Sequence, residues 1–341
     1  MRSAWLVTIA VSILLGTAGC GAETPALETG STATSPASTS PAALSLLIEP
    51  GAGMAPIYAL LDSARHRVDL VMYELEDTRA EQLLAADAAR GVAVRVLLNS
   101  TYTGSANDAA FSYLKRRGVH VQWASPLYAL THQKTLVVDA SVAVIMTLNW
   151  TSRYYSDTRD VGVIDRIPSD IAAIEATFDA DDTGAHITPP SGADLVWSPI
   201  TSDPDLLALI NGAKRDLLVE NEEMDSRDII DALVAAARRG VNVEICMTDS
   251  SSWSSSFEEL VGAGVHIRVY SPAAALYIHA KVLVRDEGVH DEEAFVGSQN
   301  FSTESLRYNR ELGILITAGP PIRQLQSLIQ TDYNAASSWS G

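Results

Sequence analysis

The stretch THQKTLVVDA at 131–140 returns at 277–286 as YIHAKVLVRD, and this repetition constrains the fold more than any other feature of the chain. His132, Lys134 and Asp139 are matched by His279, Lys281 and Asp286, each pair separated by 147 residues. An imidazole and an ammonium are costly to bury, yet both copies open a β-branched run with the character of a buried strand. Other segments echo at nearby spacings. RVDLVMYELED around Asp69 matches KRDLLVENEEMD around Asp216 at 147, Gly91 matches Gly240 at 149, and Gly118 matches Gly264 at 146. Self-similarity of this kind marks a duplicated unit of about 150 residues.

Within a unit, helical and strand periodicities alternate. Helices are expected near 56–65, 78–90 and 106–117, with strands at 68–73, 92–98 and 119–123. Short strands then crowd together at 135–139, 142–146 and 160–164 before a helix at 169–178. The second copy repeats the order as far as a helix near 321–333. Continuous apolar strands alternating with helices predict an α/β fold. Two similar halves, 44–190 and 191–341, are expected, each a mixed, largely parallel sheet flanked by helices, facing one another across a pseudo-twofold axis.

The N-terminus reads differently. MRSAWLVTIAVSILLGTAGC has one early cation, Arg2, then a short apolar run and small residues, which is an export signal rather than a membrane span. Cys20 after Thr-Ala-Gly is similar to a bacterial lipobox and marks an expected lipid attachment, although Thr17 stands where leucine is usual. Residues 21–43 are Ser, Thr, Ala, Pro and Gly with almost nothing to bury, a disordered tether. These segments place the protein outside the cytoplasm, as an envelope lipoprotein or a secreted chain. Besides Cys20 the chain holds only Cys246, a small hydrophobe in a strand, so thiolate metal sites are excluded and no intrachain disulfide is expected.

Beyond each His-Lys-Asp run come an asparagine and a carboxylate, Asn149 and Asp160 in one half, Asn300 and Glu311 in the other, both pairs separated by 151 residues. The growth from 147 to 151 locates a four-residue insertion near EGVHDEE, between Asp286 and Asn300. Cleaving a phosphodiester without a metal needs a nucleophile, a proton donor for the leaving alkoxide, and fixed donors around the phosphoryl oxygens. Two histidines brought together can divide the first two tasks. Lys134, Lys281, Asn149 and Asn300 then bind phosphate oxygens, and Asp160 and Glu311 orient the imidazoles by accepting from Nδ1. The polar groups are expected at the mouth of the fold, where strands begin.

A doubled His-x-Lys-x4-Asp motif, covering almost everything from Leu44 to Asn334, resembles the phospholipase D superfamily. The resemblance implies a two-step, metal-independent mechanism through a phosphohistidine, with no cofactor. By analogy with secreted bacterial phospholipases D it makes His132 the nucleophile and His279 the general acid, and makes Asp139 and Asp286 structural supports of the motif. One departure stands out: the second half keeps the family's Gly-Ser at 297–298, but the first has Met146 and Thr147, and Met146 is expected to remove backbone freedom.

A formal net charge of −18 disfavours polyanionic partners and leaves a phospholipid at a membrane surface as the expected substrate of a monomeric enzyme. Hydrolysis to phosphatidic acid and a headgroup alcohol is the first expectation. The alternatives are a nuclease of the same superfamily, a phosphatidyltransferase of the cardiolipin synthase kind, and a noncatalytic envelope protein that binds phosphate. The lack of a spanning stretch after Cys20 weighs against transfer. Loop aromatics Tyr128, Trp150, Tyr154, Tyr155, Trp253 and Tyr277, and arginines Arg153, Arg159, Arg307 and Arg310, are read either as lipid contacts or as scaffold packing and ion pairs.

Overall fold

Continuous apolar runs such as Leu136-Val137-Val138 bury side chains on both faces, so each sheet must be covered on both sides. The computed structural model describes residues 42–101 and 103–341. The expected export signal, Cys20 and all of the tether but its last two residues lie outside the described residues.

The first half contains β1 (Leu44–Glu49), α1 (Ala55–Ser63), β2 (Arg67–Met72), α2 (Thr78–Ala89), β3 (Ala93–Leu98), α3 (Gly104–Arg116), β4 (His120–Trp123), β5 (Thr135–Val138), β6 (Val142–Met146), β7 (Thr158–Asp165) and α4 (Pro168–Thr183). The second contains β8 (Leu195–Ser198), α5 (Ser202–Gly212), β9 (Asp216–Glu220), α6 (Arg227–Arg238), β10 (Asn242–Thr248), α7 (Ser254–Gly262), β11 (His266–Tyr270), β12 (Tyr277–Ile278), β13 (Val282–Arg285), β14 (Glu293–Gly297), α8 (Thr303–Arg307), β15 (Glu311–Ile316), α9 (Pro320–Ala335) and β16 (Ser337–Ser338). Helix starts follow local chemistry. Asp77 caps α2 by accepting from the N–H groups of Arg79 and Ala80, and Ser226 caps α6 by accepting from Ile229.

One sheet runs β1-β7-β6-β5-β2-β3-β4, and the other β16-β11-β10-β9-β13-β14-β15-β8. Each is mixed, but "largely parallel" needs correction. Along that first run only β2–β3 and β3–β4 are parallel, the ladders from β2 to β5 and on through β6, β7 and β1 are antiparallel, and β12 of the second half adds a short parallel pair on β7. For β5 and β6 the physical reason is connection length: the link at 139–141 is far too short for the crossover that a parallel pair needs. The predicted insertion sits where expected, since the β5–β6 link spans 139–141 and the β13–β14 link 286–292.

Alternation along the strands divides most of the core into three large clusters. Leu70, Val96 and Leu136 pack under α1, α2 and α3, and Val219, Ile245 and Leu283 pack under α5, α6 and α7. Opposite faces of the same strands, including Val137, Ile145 and Val163 from one sheet and Val282, Val284 and Val296 from the other, meet in a shared central layer with α4 and α9. Fully burying an aliphatic side chain of this size is worth about 1.5–3 kcal/mol, so this layer makes Ala42–Gly341 one compact unit.

The ladders also set the true register of the duplication. Arg67 pairs with Ala93 and Asp216 with Asn242, so the β2–β9 match runs at 149 rather than 147, and Asp69 corresponds to Leu218. The offset falls from 149 at β2 and β9 to 147 at β5 and β13, so the second half is two residues shorter over this stretch, a shift that repeated Asp residues in similar surroundings conceal in the sequence.

Candidate functional site

Each histidine reaches the site on a segment that pairs with the opposite half. Thr131 bridges Arg310, whose carbonyl accepts from the N–H groups of His132 and Gln133 at 3.0 and 3.1 Å. Reciprocally, β12 pairs with Thr158–Arg159 of β7, and the His279 N–H donates to the Arg159 carbonyl at 3.1 Å. Arg310 and Arg159 immediately precede Glu311 and Asp160, so the crossing hands each imidazole the other half's carboxylate. His132 Nδ1 lies 2.9 Å from Glu311 Oε2, and His279 Nδ1 lies 2.7 Å from Asp160 Oδ1.

The carboxylates are themselves fixed. Glu311 Oε1 accepts from Ser305 Oγ at 2.5 Å and Asn309 Nδ2 at 3.1 Å. Thr147 Oγ1 donates to Asp160 at 2.5 Å and accepts the Val161 N–H. The hydroxyl that Thr147 preserves therefore holds the His279 partner. Met146 costs no backbone freedom, contrary to expectation: the Gly297 backbone is not left-handed, and its Cβ is excluded only because Gln299, Gly313 and the Phe295 ring would sit 2.3–2.6 Å away. In the first half Val144 replaces Phe295, leaving room for Met146 against Gly162.

His132 Nδ1 also lies 3.1 Å from the Ser298 carbonyl. A carbonyl only accepts, so Nδ1 carries the hydrogen and the neutral ring presents Nε2 as a bare lone pair. Burial, helped by Lys134 and Lys281 and opposed by Glu311, pushes the His132 pKa down to about 4. Lys134 is buried, caps the His132 carbonyl, and has its ammonium 4.8 Å from the Tyr73 ring centroid. Burial draws its pKa down to about 7, with Glu311 opposing. Lys281 likewise caps the His279 carbonyl. Asn149 and Asn300 line the same cleft, about 600 Å³ in volume, as His132, His279, Asp160 and Glu222.

Asp139 and Asp286 stand at the far ends of β5 and β13. Asp139 accepts backbone N–H bonds from Arg65, His66 and Arg67 at 2.7–2.9 Å, and Asp286 from Lys214, Arg215 and Asp216 at 2.7–3.0 Å. Both have left-handed backbones, with φ of 51° and 52°, and both carboxyls are held below the usual range because the N–H donors outweigh burial.

Glu222 is the site residue that sequence reasoning missed. Its Oε2 lies 2.9 Å from Lys281 Nζ and 3.5 Å from His279 Nε2, and its Oε1 accepts from Tyr277 Oη at 3.1 Å. Burial works to raise its carboxyl, but Lys281 and His279 outweigh it and hold it well below the ordinary range. At an offset of 149 its counterpart is Tyr73, whose ring meets His132 edge-on at 4.6 Å. The 147 alignment would have paired Glu222 with the buried Leu75 and hidden this match.

The loop residues divide. Tyr154, Tyr155 and Tyr277 line the cleft, whereas Trp150 is fully buried, Trp253 packs on the core of the second half, and Tyr128 lies against Arg310. All four arginines are paired: Arg153 with Glu76, Arg159 with Asp332, Arg307 with Asp203 and Asp228, and Arg310 with Asp181. Among the described residues no helix is long and apolar enough to cross a membrane.

Comparison with known proteins adds a family. A profile described as "Cardiolipin synthase, PLD-like domain" matches residues 57–181 and again 206–333. Cardiolipin synthase A from Klebsiella pneumoniae is 27% identical over 331 residues, covering 80% of this chain and 65% of its own length. Two solved structures share the fold. Polyphosphate kinase from Porphyromonas gingivalis superposes with a TM-score of 0.66 at 15% identity over 84% of this chain and 46% of its own. Phosphatidylserine synthase from Haemophilus influenzae superposes at 0.65 and 12% identity over 87% of each chain. Cardiolipin synthase A from Serratia proteamaculans is likewise 27% identical, and this chain spans 65–69% of the length of these two relatives.

Proposed function

Since the chain belongs to the phospholipase D superfamily, through two copies of a PLD-like domain, we propose that it transfers the phosphatidyl group of a phospholipid to an alcohol through a phosphohistidine. The observation that carries this reading is the crossed geometry, in which two imidazoles line one cleft and each has Nδ1 tied to the opposite half's carboxylate.

In the first step Nε2 of His132 attacks phosphorus and the bond to the headgroup oxygen breaks, that oxygen taking the proton from Nε2 of His279. In the second step the acceptor alcohol returns a proton to His279 while its oxygen displaces His132 from phosphorus. Lys134, Lys281, Asn149 and Asn300 neutralise and orient the nonbridging oxygens, strongest when the phosphorus is five-coordinate. Lys281 exchanges its contact with Glu222 for one with phosphate. Water replacing the alcohol in the second step gives phosphatidic acid, so hydrolysis is the same chemistry with another acceptor. An exported chain tethered through Cys20 would present the cleft to a membrane surface.

The test is to incubate the purified protein, in buffer containing EDTA, with phosphatidylglycerol and phosphatidylethanolamine vesicles and added glycerol, and to identify products by mass spectrometry. Phosphatidyl-alcohol or cardiolipin exceeding phosphatidic acid supports transfer. Phosphatidic acid alone returns the hydrolase reading. Cleavage of single-stranded DNA without lipid turnover assigns the nuclease, and no turnover of either refutes the proposal.

A further inference from the structure

The pseudo-twofold relation brings unlike groups to the two histidines. Tyr73 ends the loop entry after β2 and sets its ring edge-on to His132 at 4.6 Å. Glu222 occupies the equivalent place after β9 and sets a carboxylate 3.5 Å from His279 Nε2. His279 thus lies between two carboxylates on different elements, Asp160 on β7 at Nδ1 and Glu222 at Nε2, with Lys281 the cation nearest to both. His132 faces one carboxylate, Glu311, and the buried ammonium of Lys134. Two carboxylates stabilise an imidazolium, and one carboxylate opposed by an adjacent ammonium and an aromatic ring does so much less.

We infer that Glu222 is a positioning residue that sets the Nε2 edge of His279 for proton donation, and so makes His279 the proton donor and leaves His132 to take the phosphatidyl group. This rests on the phosphatidyl-transfer reading and goes beyond it by deriving the division of labour from a residue outside the duplicated motif. Glu222 is held for this role: Tyr277 Oη and Lys281 Nζ fix its two oxygens, and only 24% of its side chain is exposed. When phosphate takes over Lys281, Glu222 keeps Tyr277 and the edge of His279. The atoms balance without Glu222 exchanging a proton: the proton leaving His279 goes to the headgroup oxygen and returns from the acceptor alcohol.

A role in proton donation is visible in leaving-group dependence, which a structural role would not produce. Two soluble diesters, one losing p-nitrophenolate and one losing an alkyl alkoxide, are compared in wild type, Glu222→Gln and Glu222→Asp. An alkoxide needs the proton and p-nitrophenolate needs it far less. Glu222→Gln is expected to lose at least about tenfold more rate on the alkyl diester than on the p-nitrophenyl diester, and to move the alkaline limb of the alkyl rate profile to lower pH. Glu222→Asp should recover part of both effects. Equal losses on the two diesters with an unmoved limb would make Glu222 a structural residue and overturn the inference, as would a rate gain on both, which would make it a plug that repels phosphate. Failure of wild type on both diesters would instead refute the transfer reading itself.

Discussion

Replacing Asp286 with alanine isolates what the motif aspartate does. Its two oxygens accept three backbone N–H bonds, from Lys214, Arg215 and Asp216 at 2.9, 2.7 and 3.0 Å, and tie the end of β13 to the turn that starts β9. Hydrogen bonds to a charged group contribute roughly 1.5–3 kcal/mol each and do not add fully, so losing the trio costs about 3–5 kcal/mol. Alanine at φ 52° adds about 1 kcal/mol, because aspartate and asparagine tolerate the left-handed region better. For a domain of this size the sum lowers Tm by about 10 °C. Asp286→Asn, keeping an acceptor oxygen and the backbone tolerance, should lose about half as much. Lys281 lies at the other end of the segment, so catalysis at a temperature well below Tm should persist. Because the folded carboxyl titrates below the unfolded value near 3.8, its stabilisation is complete above that pH and is lost as pH falls further, so the gap between wild type and variant should narrow only there. Thermal unfolding followed by circular dichroism, with activity on the same samples, decides the matter. An unchanged Tm, or a folded variant without activity, would refute this reasoning.

Three other outcomes follow from the same contacts. His132→Ala and His279→Ala should each lower turnover by at least about a thousandfold while leaving the fold intact by circular dichroism. The unfolded His132 imidazole takes a proton near pH 6.5 and the folded one only near pH 4, so wild-type Tm should fall more steeply between those values than that of His132→Gln; a parallel decline would contradict the buried neutral ring. Glu220 is wholly buried beside Asp332, and burial holds its carboxyl well above the ordinary range. A raised folded pKa makes stability fall as pH rises, so Glu220→Gln should raise Tm at pH 8 and not at pH 4, read by differential scanning calorimetry.

Much of this was legible in the sequence because duplication turns weak local signals into paired ones. His132, Lys134 and Asn149 would each pass as ordinary buried polar residues alone, and gain meaning from His279, Lys281 and Asn300. Helix and strand periods came through because most strands are buried on both faces and most helices carry caps or glycine stops. Sheet direction was less legible: the alternation over 68–123 carries the parallel part, and the hairpin-linked strands beyond 135 make the rest antiparallel. The crossing that gives His132 to Glu311 and His279 to Asp160 depends on backbone pairing between segments 179 and 119 residues apart, which no local pattern encodes. Glu222 was hidden by a two-residue slip, since Asp69 and Asp216 look alike while the ladders match Asp69 to Leu218.

The most direct test of a single site shared by both halves is capture of the covalent intermediate. Protein mixed with a phospholipid labelled in the phosphate, quenched in base to preserve phosphoramidates, digested and mapped by mass spectrometry should carry the label on His132, and His132→Ala should carry none. In His279→Ala the label should still reach His132 from a p-nitrophenyl diester. Label on a residue other than histidine, or turnover in which His132→Ala matches wild type, would contradict the account.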